Sequence, residues 1–462
     1  MSKRQITRRQ FIKTSAFLGA GLTLSGFSRR AFSKPDRPNI LILLVDQDRY
    51  PMHTPALKRP IVERLKKTGI EFHNAFASFP LCSPSRSTIL TGKYPHQVGI
   101  FANVDFSQKN PSLSPKFPNL GRVFSQAGYY TIYFGKWHLT RRAHSTDEIK
   151  KYGFNEMHIS NQLVAFGSDE RVIKNTASWI EKQGRRKKPW LCFCAPINPH
   201  DICLYPILTK FYGKIPDYPI KIPPNFNAHP EQIHSGFGDY LKLSGIKSRY
   251  PKDEEGWIKY LRFYCYLTEL VDRRLLVVLD ALEESGQMEN TIIIYTSDHG
   301  EMGGSHGLVN KGMAMYEENL KVPLVISYPE LVRSHRSYYG LVSNLDLVPT
   351  ICGLAGVSWP ERLLGKDLSP LFKGEEIEER EMIFSEGQAE YQKTPPWRGL
   401  RTKRFKYWHY LDGSEFLFDL EKDPLEINNL ARQLEYKDLL AEFREKVRNF
   451  RKSTQDPFRQ FL

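Results

Sequence analysis

Two runs of branched apolar residues each end on an acid: Pro38-Asn39-Ile40-Leu41-Ile42-Leu43-Leu44-Val45-Asp46, and Thr291-Ile292-Ile293-Ile294-Tyr295-Thr296-Ser297-Asp298-His299. A run without polar alternation reads as a strand covered on both faces, and such strands belong to parallel sheets that present their carboxyl ends at one functional edge. Further strands are expected at residues 130–134 and at Trp190–Ala195, alternating with helical stretches at 60–67, 119–127 and 260–285. This alternation predicts an α/β class with a large, mostly parallel sheet flanked by helices. Around 374–380 the chain turns acidic and polar. The aromatic run Phe405-Lys406-Tyr407-Trp408-His409-Tyr410 and a turn at Asp412-Gly413 then read as an antiparallel hairpin, followed by an amphipathic helix over 430–451. These define a smaller C-terminal α+β unit.

With 462 residues, 40% of them hydrophobic, the chain can bury a large core and is too long for one minimal domain. Its formal charge of +15 points first to an acidic partner. However, Lys3, Arg4, Arg8, Arg9, Lys13, Arg29 and Arg30 lie in the first 33 residues, which hold no acid, so the remainder carries about +8. No basic stripe is left to support a nucleic-acid interface. Thr7-Arg8-Arg9-Gln10-Phe11-Ile12-Lys13, followed by a weakly apolar run over 14–27, reads as a twin-arginine export signal spanning 1–33. The apolar run falls short of the roughly 20 residues of a spanning helix. A soluble mature chain, periplasmic or secreted and carried by the twin-arginine translocase, is therefore expected.

The six cysteines, at 82, 192, 194, 203, 265 and 352, show no C-x-x-C spacing and imply no disulfide framework. Cys192 and Cys194 share one face of their strand and are expected to pack as small core residues. Cys82 differs. It stands in Pro80-Leu81-Cys82-Ser83-Pro84-Ser85-Arg86-Ser87-Thr88-Ile89-Leu90-Thr91-Gly92, at the start of a helical stretch and near an arginine, where a thiolate nucleophile is conceivable.

That string resembles the signature of the sulfatase family, in which C-x-P-x-R directs conversion of the cysteine to formylglycine (3-oxoalanine). Gly128-Tyr129-Tyr130-Thr131-Ile132-Tyr133-Phe134-Gly135-Lys136-Trp137-His138 resembles the second family signature, with Phe134 where a small or β-branched residue is usual. Ser297-Asp298-His299-Gly300-Glu301 and the stretches 311–323, 343–350 and 418–430 continue the likeness in order along the chain. The resemblance implies an alkaline phosphatase-like fold, with a catalytic α/β domain over 34–375 and a smaller domain over 376–462. A formylglycine-generating enzyme would act during maturation. Hydrated to a geminal diol, the aldehyde attacks sulfur through one hydroxyl, and deprotonation of the other expels sulfate, so no stable alkyl sulfate has to be hydrolysed.

By the same resemblance Asp46, Gln47, Asp298 and His299, together with Cys82, fall at the metal-ligand positions. Gln47 replaces a commoner aspartate and His299 a common asparagine. Oxygen donors suit Ca²⁺, while a histidine in the shell leaves Mn²⁺ open. Cationic or polar groups expected at the sulfate are Arg86, Lys136, His138, His200 and Lys311. His200, in Asn198-Pro199-His200-Asp201, resembles the histidine that contacts the ester oxygen, and Asp201 either orients it or touches substrate. Asp48 offers an alternative ligand, but its position past the strand end reads as a solvated loop acid, and His306 reads as a loop histidine or a subsite residue. Trp397, Arg398, Arg401 and Trp408 either form a rim for a sulfated sugar or pack the hairpin. The expected substrate is a sulfated small molecule or saccharide. A phosphatase or phosphonate hydrolase on the same scaffold is the neighbouring reading, and an inactive anion-binding module the remote one.

Overall fold

Alternation along one central strand sets the layers of the molecule. In β1 (Asn39–Val45), Ile40, Ile42 and Leu44 point into a core shared with Ile89, Leu120, Phe124, Val348 and Ile351. Leu41, Leu43 and Val45 point the other way, into a core with Ile61, Val172, Ile180, Leu275 and Leu279. Full burial of each such side chain contributes roughly 1.5–3 kcal/mol, so the strand is anchored from both faces. The computed structural model describes residues 37–51, 56–104, 110–141, 150–160, 163–183, 188–228, 242, 251–312, 314–388 and 395–457; the expected leader lies outside them.

After β1 come β2 (Gly69–Phe72), β3 (Ala75–Phe76), β4 (Tyr130–Gly135), β5 (Glu156–Ile159), β6 (Trp190–Ala195), β7 (Thr291–Ser297), β8 (Leu324–Ser327), β9 (Arg336–Tyr338) and β10 (Val342–Ser343). Eight of these form one sheet in the order β5-β4-β6-β1-β7-β8-β2-β9, and β3 pairs with β10. Only β8 runs against its neighbours, so the sheet is mostly parallel, as the apolar runs require. One face is covered by α1 (Pro60–Lys66), and by the helices Asp169–Gln183 and Glu254–Glu284. The other face is covered by Leu120–Gln126 and Leu347–Ala355. Cys192 and Cys194 both point into the first of these layers.

A second sheet, β11 (Met382–Gly387), β12 (Trp397–Thr402), β13 (Phe405–Tyr410) and β14 (Glu415–Asp419), is antiparallel throughout. Trp397, Trp408 and Phe418 pack toward Met315 and Tyr316, whereas Leu400, Tyr407 and Leu417 pack under the terminal helix Lys437–Thr454 through Leu440, Phe443 and Val447. Residues Pro35–Leu462 form one unit. Among the described residues no helix is long and apolar enough to cross a membrane.

Candidate active site

β4, β6, β1 and β7 lie side by side and parallel, so the residues that follow them meet at one edge. Lys136 and His138 follow β4, His200 follows β6, Asp46 and Gln47 follow β1, and Asp298 and His299 follow β7. A bridge between Asp46 and Pro199 carries the pairing of β1 one step further and brings the His200 segment beside Asp46. At Gly135 (φ +102) an added Cβ would lie 2.0 Å from the Ala195 carbonyl oxygen. Only glycine lets the chain leave β4 there, which is how Lys136 reaches the site.

Cys82 opens the helix Cys82–Thr91, every residue of which is buried. The helix stops at Gly92 (φ +67), where a Cβ would meet Leu363 Cδ2 at 2.6 Å. Cys82 Sγ lies 3.1 Å from His299 Nε2 and 3.8 Å from both Asp46 Oδ1 and Lys136 Nζ. One ligand atom from each of Asp46, Cys82, Asp298 and His299 falls within 4.8 Å of the others. Arg86 is one turn further along, and each of its three nitrogens makes a local bond. It donates to Asp298 Oδ2, Asp46 Oδ2 and the Lys136 carbonyl oxygen, each at 2.8 Å. It therefore organises the two acids. Lys136 Nζ also lies 2.8 Å from Asp46 Oδ2.

Burial would raise Asp46, but the cationic Lys136 and Arg86 outweigh it and hold this carboxyl well below its usual range. Asp298, buried beside the charged Asp46, is pushed up to about 7 despite Arg86. Two carboxylates crowded in this way are a site that a cation completes. His138 and His200 are held well below the usual imidazole range by burial and by Lys136, and His299 by burial and Lys311. All three are neutral, and a neutral imidazole is the form that ligates metal. The donor set fits a divalent cation: two carboxylates and one imidazole beside Cys82. Burial and Asp46 push the Cys82 thiol up to about 12, against Lys136 and Lys311.

Gln47, at φ 70, holds its amide between groups of opposite demand. Its Oε1 accepts from Lys311 Nζ and lies 3.2 Å from Cys203 Sγ, while its Nε2 donates to the buried carboxylate of Glu301. Tyr260 OH and the Gly303 and Asn310 amides also donate to Glu301, at 2.8–3.0 Å. Neither Glu301 nor Cys203 was singled out from the sequence. Glu301 stood in a quoted family string without a role, and only the fold brings Cys203 to Gln47.

The expectation for Asp48 is corrected, and the surroundings of His306, Asp201 and the hairpin aromatics are defined. Asp48 is fully buried and paired with Arg59 at 2.6 Å, with Tyr295 OH at 3.0 Å, so it is not a solvated loop acid. His306 is also fully buried, stacked on Tyr316 at 3.9 Å and 3.2 Å from Asn225 Nδ2. The Asp201 carboxylate bonds to the Ala165 and Phe166 amides and to Tyr212 OH. Trp397, Arg398, Arg401 and Trp408 are buried and pack the hairpin: Arg398 grips Asp456 and Arg401 grips Glu317. A second acid–histidine set, His96, Glu386 and Asp456, is closed by Arg398 and Arg451 and offers no open position for an ion.

The chain is 30% identical to a Delta 4,5-hexuronate-2-O-sulfatase of Bacteroides thetaiotaomicron, across 95% of this chain and 93% of that one. It is 27% identical to an ulvan-active sulfatase of Formosa agariphila, across 90% and 81%. Among solved structures, a 2-O GAG sulfatase superposes with a TM-score of 0.78 at 27% identity, covering 92% of this chain and 94% of that one. A phosphonate monoester hydrolase of Agrobacterium radiobacter shares the fold, with a TM-score of 0.76 at 24% identity and coverage of 90% and 96%. The family model described as "N-sulphoglucosamine sulphohydrolase, C-terminal" matches residues 304–453. With the model described as "Sulfatase" matching residues 38–357 over the strand-end site, the chain belongs to the sulfatase family and is a hydrolase of sulfuric esters.

Proposed function

We propose that this hydrolase removes sulfate from a sulfated saccharide, using formylglycine made from Cys82 and a divalent cation held by Asp46, Gln47, Asp298 and His299. The observation that carries this reading is the position of Cys82: wholly buried, at a helix start, within 4 Å of Asp46, His299 and Lys136. Its protonated thiol is a poor nucleophile in that setting. The formylglycine hydrate supplies a hydroxyl that can attack sulfur and a second that releases the product, and the cation supplies positive charge at the sulfate oxygens. Mostly oxygen donors favour Ca²⁺ over Mn²⁺.

In this reading the protein's own groups have separate tasks. Arg86 holds Asp46 and Asp298 in register. Lys136 and Lys311 bring cationic charge to the anionic head of the substrate, and His138 lies in the same buried shell. Neutral His200 donates its N–H to the ester oxygen. The saccharide assignment is supported by relatives named for hexuronate, ulvan and glycosaminoglycan substrates. Export through the twin-arginine translocase to the periplasm or beyond belongs to the same proposal, and rests on Arg8-Arg9 and the run that follows.

The test is a desulfation screen of matured enzyme over defined sulfated saccharides and aryl sulfates, together with mass analysis of tryptic peptide 68–86. The peptide is expected lighter than its unmodified mass and reactive with hydrazides. Activity in protein carrying only the free thiol overturns the formylglycine assignment.

A further inference from the structure

His200 has to be placed without help at its Nδ1, which is buried and has no hydrogen-bond partner. Its position is therefore set largely by the backbone that carries it, and that backbone is held in an unusual way. Asp169, at the start of the helix Asp169–Gln183, accepts from the Ile197 amide at 2.7 Å and the Asn198 amide at 2.9 Å. Asp201, next to His200, accepts in the opposite direction from the Ala165 amide at 2.7 Å and the Phe166 amide at 3.2 Å. Each segment thus offers one carboxylate to two successive N–H groups of the other. Both carboxylates are fully buried. Tyr212 locks the pair, since its OH donates to Asp201 Oδ2 and accepts from Asn198 Nδ2 at 3.2 Å. Burial pushes the Asp169 carboxyl up to about 7 and raises Asp201, against the amide donors; two amides converging on each carboxyl still fix the direction of the loop.

We infer that Asp169, Asp201 and Tyr212 are positioning residues, a reciprocal carboxylate clamp that fixes His200 against the leaving oxygen of the ester. The inference rests on the reading of His200 given above. Breaking the S–O bond leaves the electron pair on the ester oxygen, and a hydrogen bond from imidazole matters most when that oxygen belongs to a poor leaving group. A loosened clamp therefore penalises phenyl sulfate more than 4-nitrophenyl sulfate, whereas a general loss of folded enzyme penalises both alike. Displacement of a catalytic group by about 1 Å costs roughly 100-fold, so partial loosening is expected to cost roughly 10-fold on the poorer leaving group.

The experiment compares kcat and KM of Tyr212→Phe, Asp201→Asn, Asp169→Asn and His200→Ala on those two esters and on a sulfated monosaccharide. Tyr212→Phe keeps both carboxylates and all four backbone bonds, so it remains informative if the aspartate variants fail to fold. Expected is a steeper dependence on leaving group in the clamp variants, following His200→Ala, with KM nearly unchanged. If aryl esters are not turned over, a fall in kcat with KM held on the saccharide supports the clamp when thermal unfolding shows the variant folded to the same extent as wild type. Equal losses on all esters, a change confined to KM, or no change in Tyr212→Phe overturns it. If His200→Ala itself leaves the dependence unaltered, it is the role of His200 that fails.

Discussion

Arg86 is the residue on which both strand-end acids depend, because its three donor groups reach Asp46, Asp298 and the Lys136 carbonyl. Removing one partner of a buried ion pair leaves uncompensated charge and typically costs about 3–5 kcal/mol. Arg86→Met is expected to lose that much in denaturant unfolding, and Arg86→Lys to recover only part, since an ammonium cannot reproduce the fork. At Cys82, alanine is expected to abolish turnover. Unmodified serine can attack sulfur but has no second hydroxyl to expel it, so Cys82→Ser is expected to trap one equivalent of radiolabelled sulfate and Cys82→Ala none. The residues that follow apolar strands were legible in the sequence, because a buried strand of fixed direction delivers its exit to a known edge. The partners of those residues were not. Spacing in C-x-P-x-R places Arg86 one turn from Cys82 but does not say that it bridges Asp46 and Asp298. The burial of Asp48 depends on Arg59 and Asp272, which only the folded chain brings together.

The elements divide in the same way. Trp190–Ala195 and the hairpin of β13 and β14 fall where apolar runs and the Asp412-Gly413 turn predict, since both signals are local. The long helix begins at Glu254, six residues before its apolar period becomes visible, because Asp253 caps it by accepting from the Gly256 amide. The terminal helix starts at Lys437 and not at 430, after a 3₁₀ turn at Leu434–Tyr436. The acidic stretch around 374–380 gave no hint that β11 and the terminal helix are tied to the turn after Gly92. His96 bonds to Glu386 of β11 through Nδ1 at 2.6 Å and to the Thr454 carbonyl through Nε2 at 3.2 Å. Both partners are acceptors, so the imidazolium satisfies them together. Burial lowers the His96 pKa, but Glu386 more than restores it, and the folded value lies above the ordinary one. A raised folded value gives stability that is complete below the unfolded value of about 6.5 and is lost as pH rises through the folded value. The stability gap between wild type and His96→Gln is accordingly expected to be widest at mildly acid pH and to narrow above neutrality, as read by urea unfolding across pH.

For the whole molecule, a cation bound only by the folded chain stabilises it by an amount that rises with the logarithm of its free concentration over its dissociation constant. At one hundred times its dissociation constant, Ca²⁺ is expected to add about 2.7 kcal/mol. Thermal unfolding after chelation and after Ca²⁺ addition measures this, and Asp298→Ala is expected to show no such response. Replacing Arg8 and Arg9 by lysine is expected to leave folded, active enzyme in the cytoplasm; normal export of that variant contradicts the twin-arginine route. Burial of Cys82 also sets a clock. The side chain has no exposed surface. The segment just before it is covered from the far end of the chain, where the Glu386 amide donates to the Ser78 carbonyl and Ser385 Oγ to the Ala77 carbonyl. On the proposal that Cys82 is the formylglycine precursor, an enzyme that oxidises it would have to reach it while the chain is still open, and the last strands made are among those that close the door. Partitioning between active enzyme and an inert thiol form is then a race between oxidation and completion of the C-terminal sheet, and faster folding would lower the yield of activity.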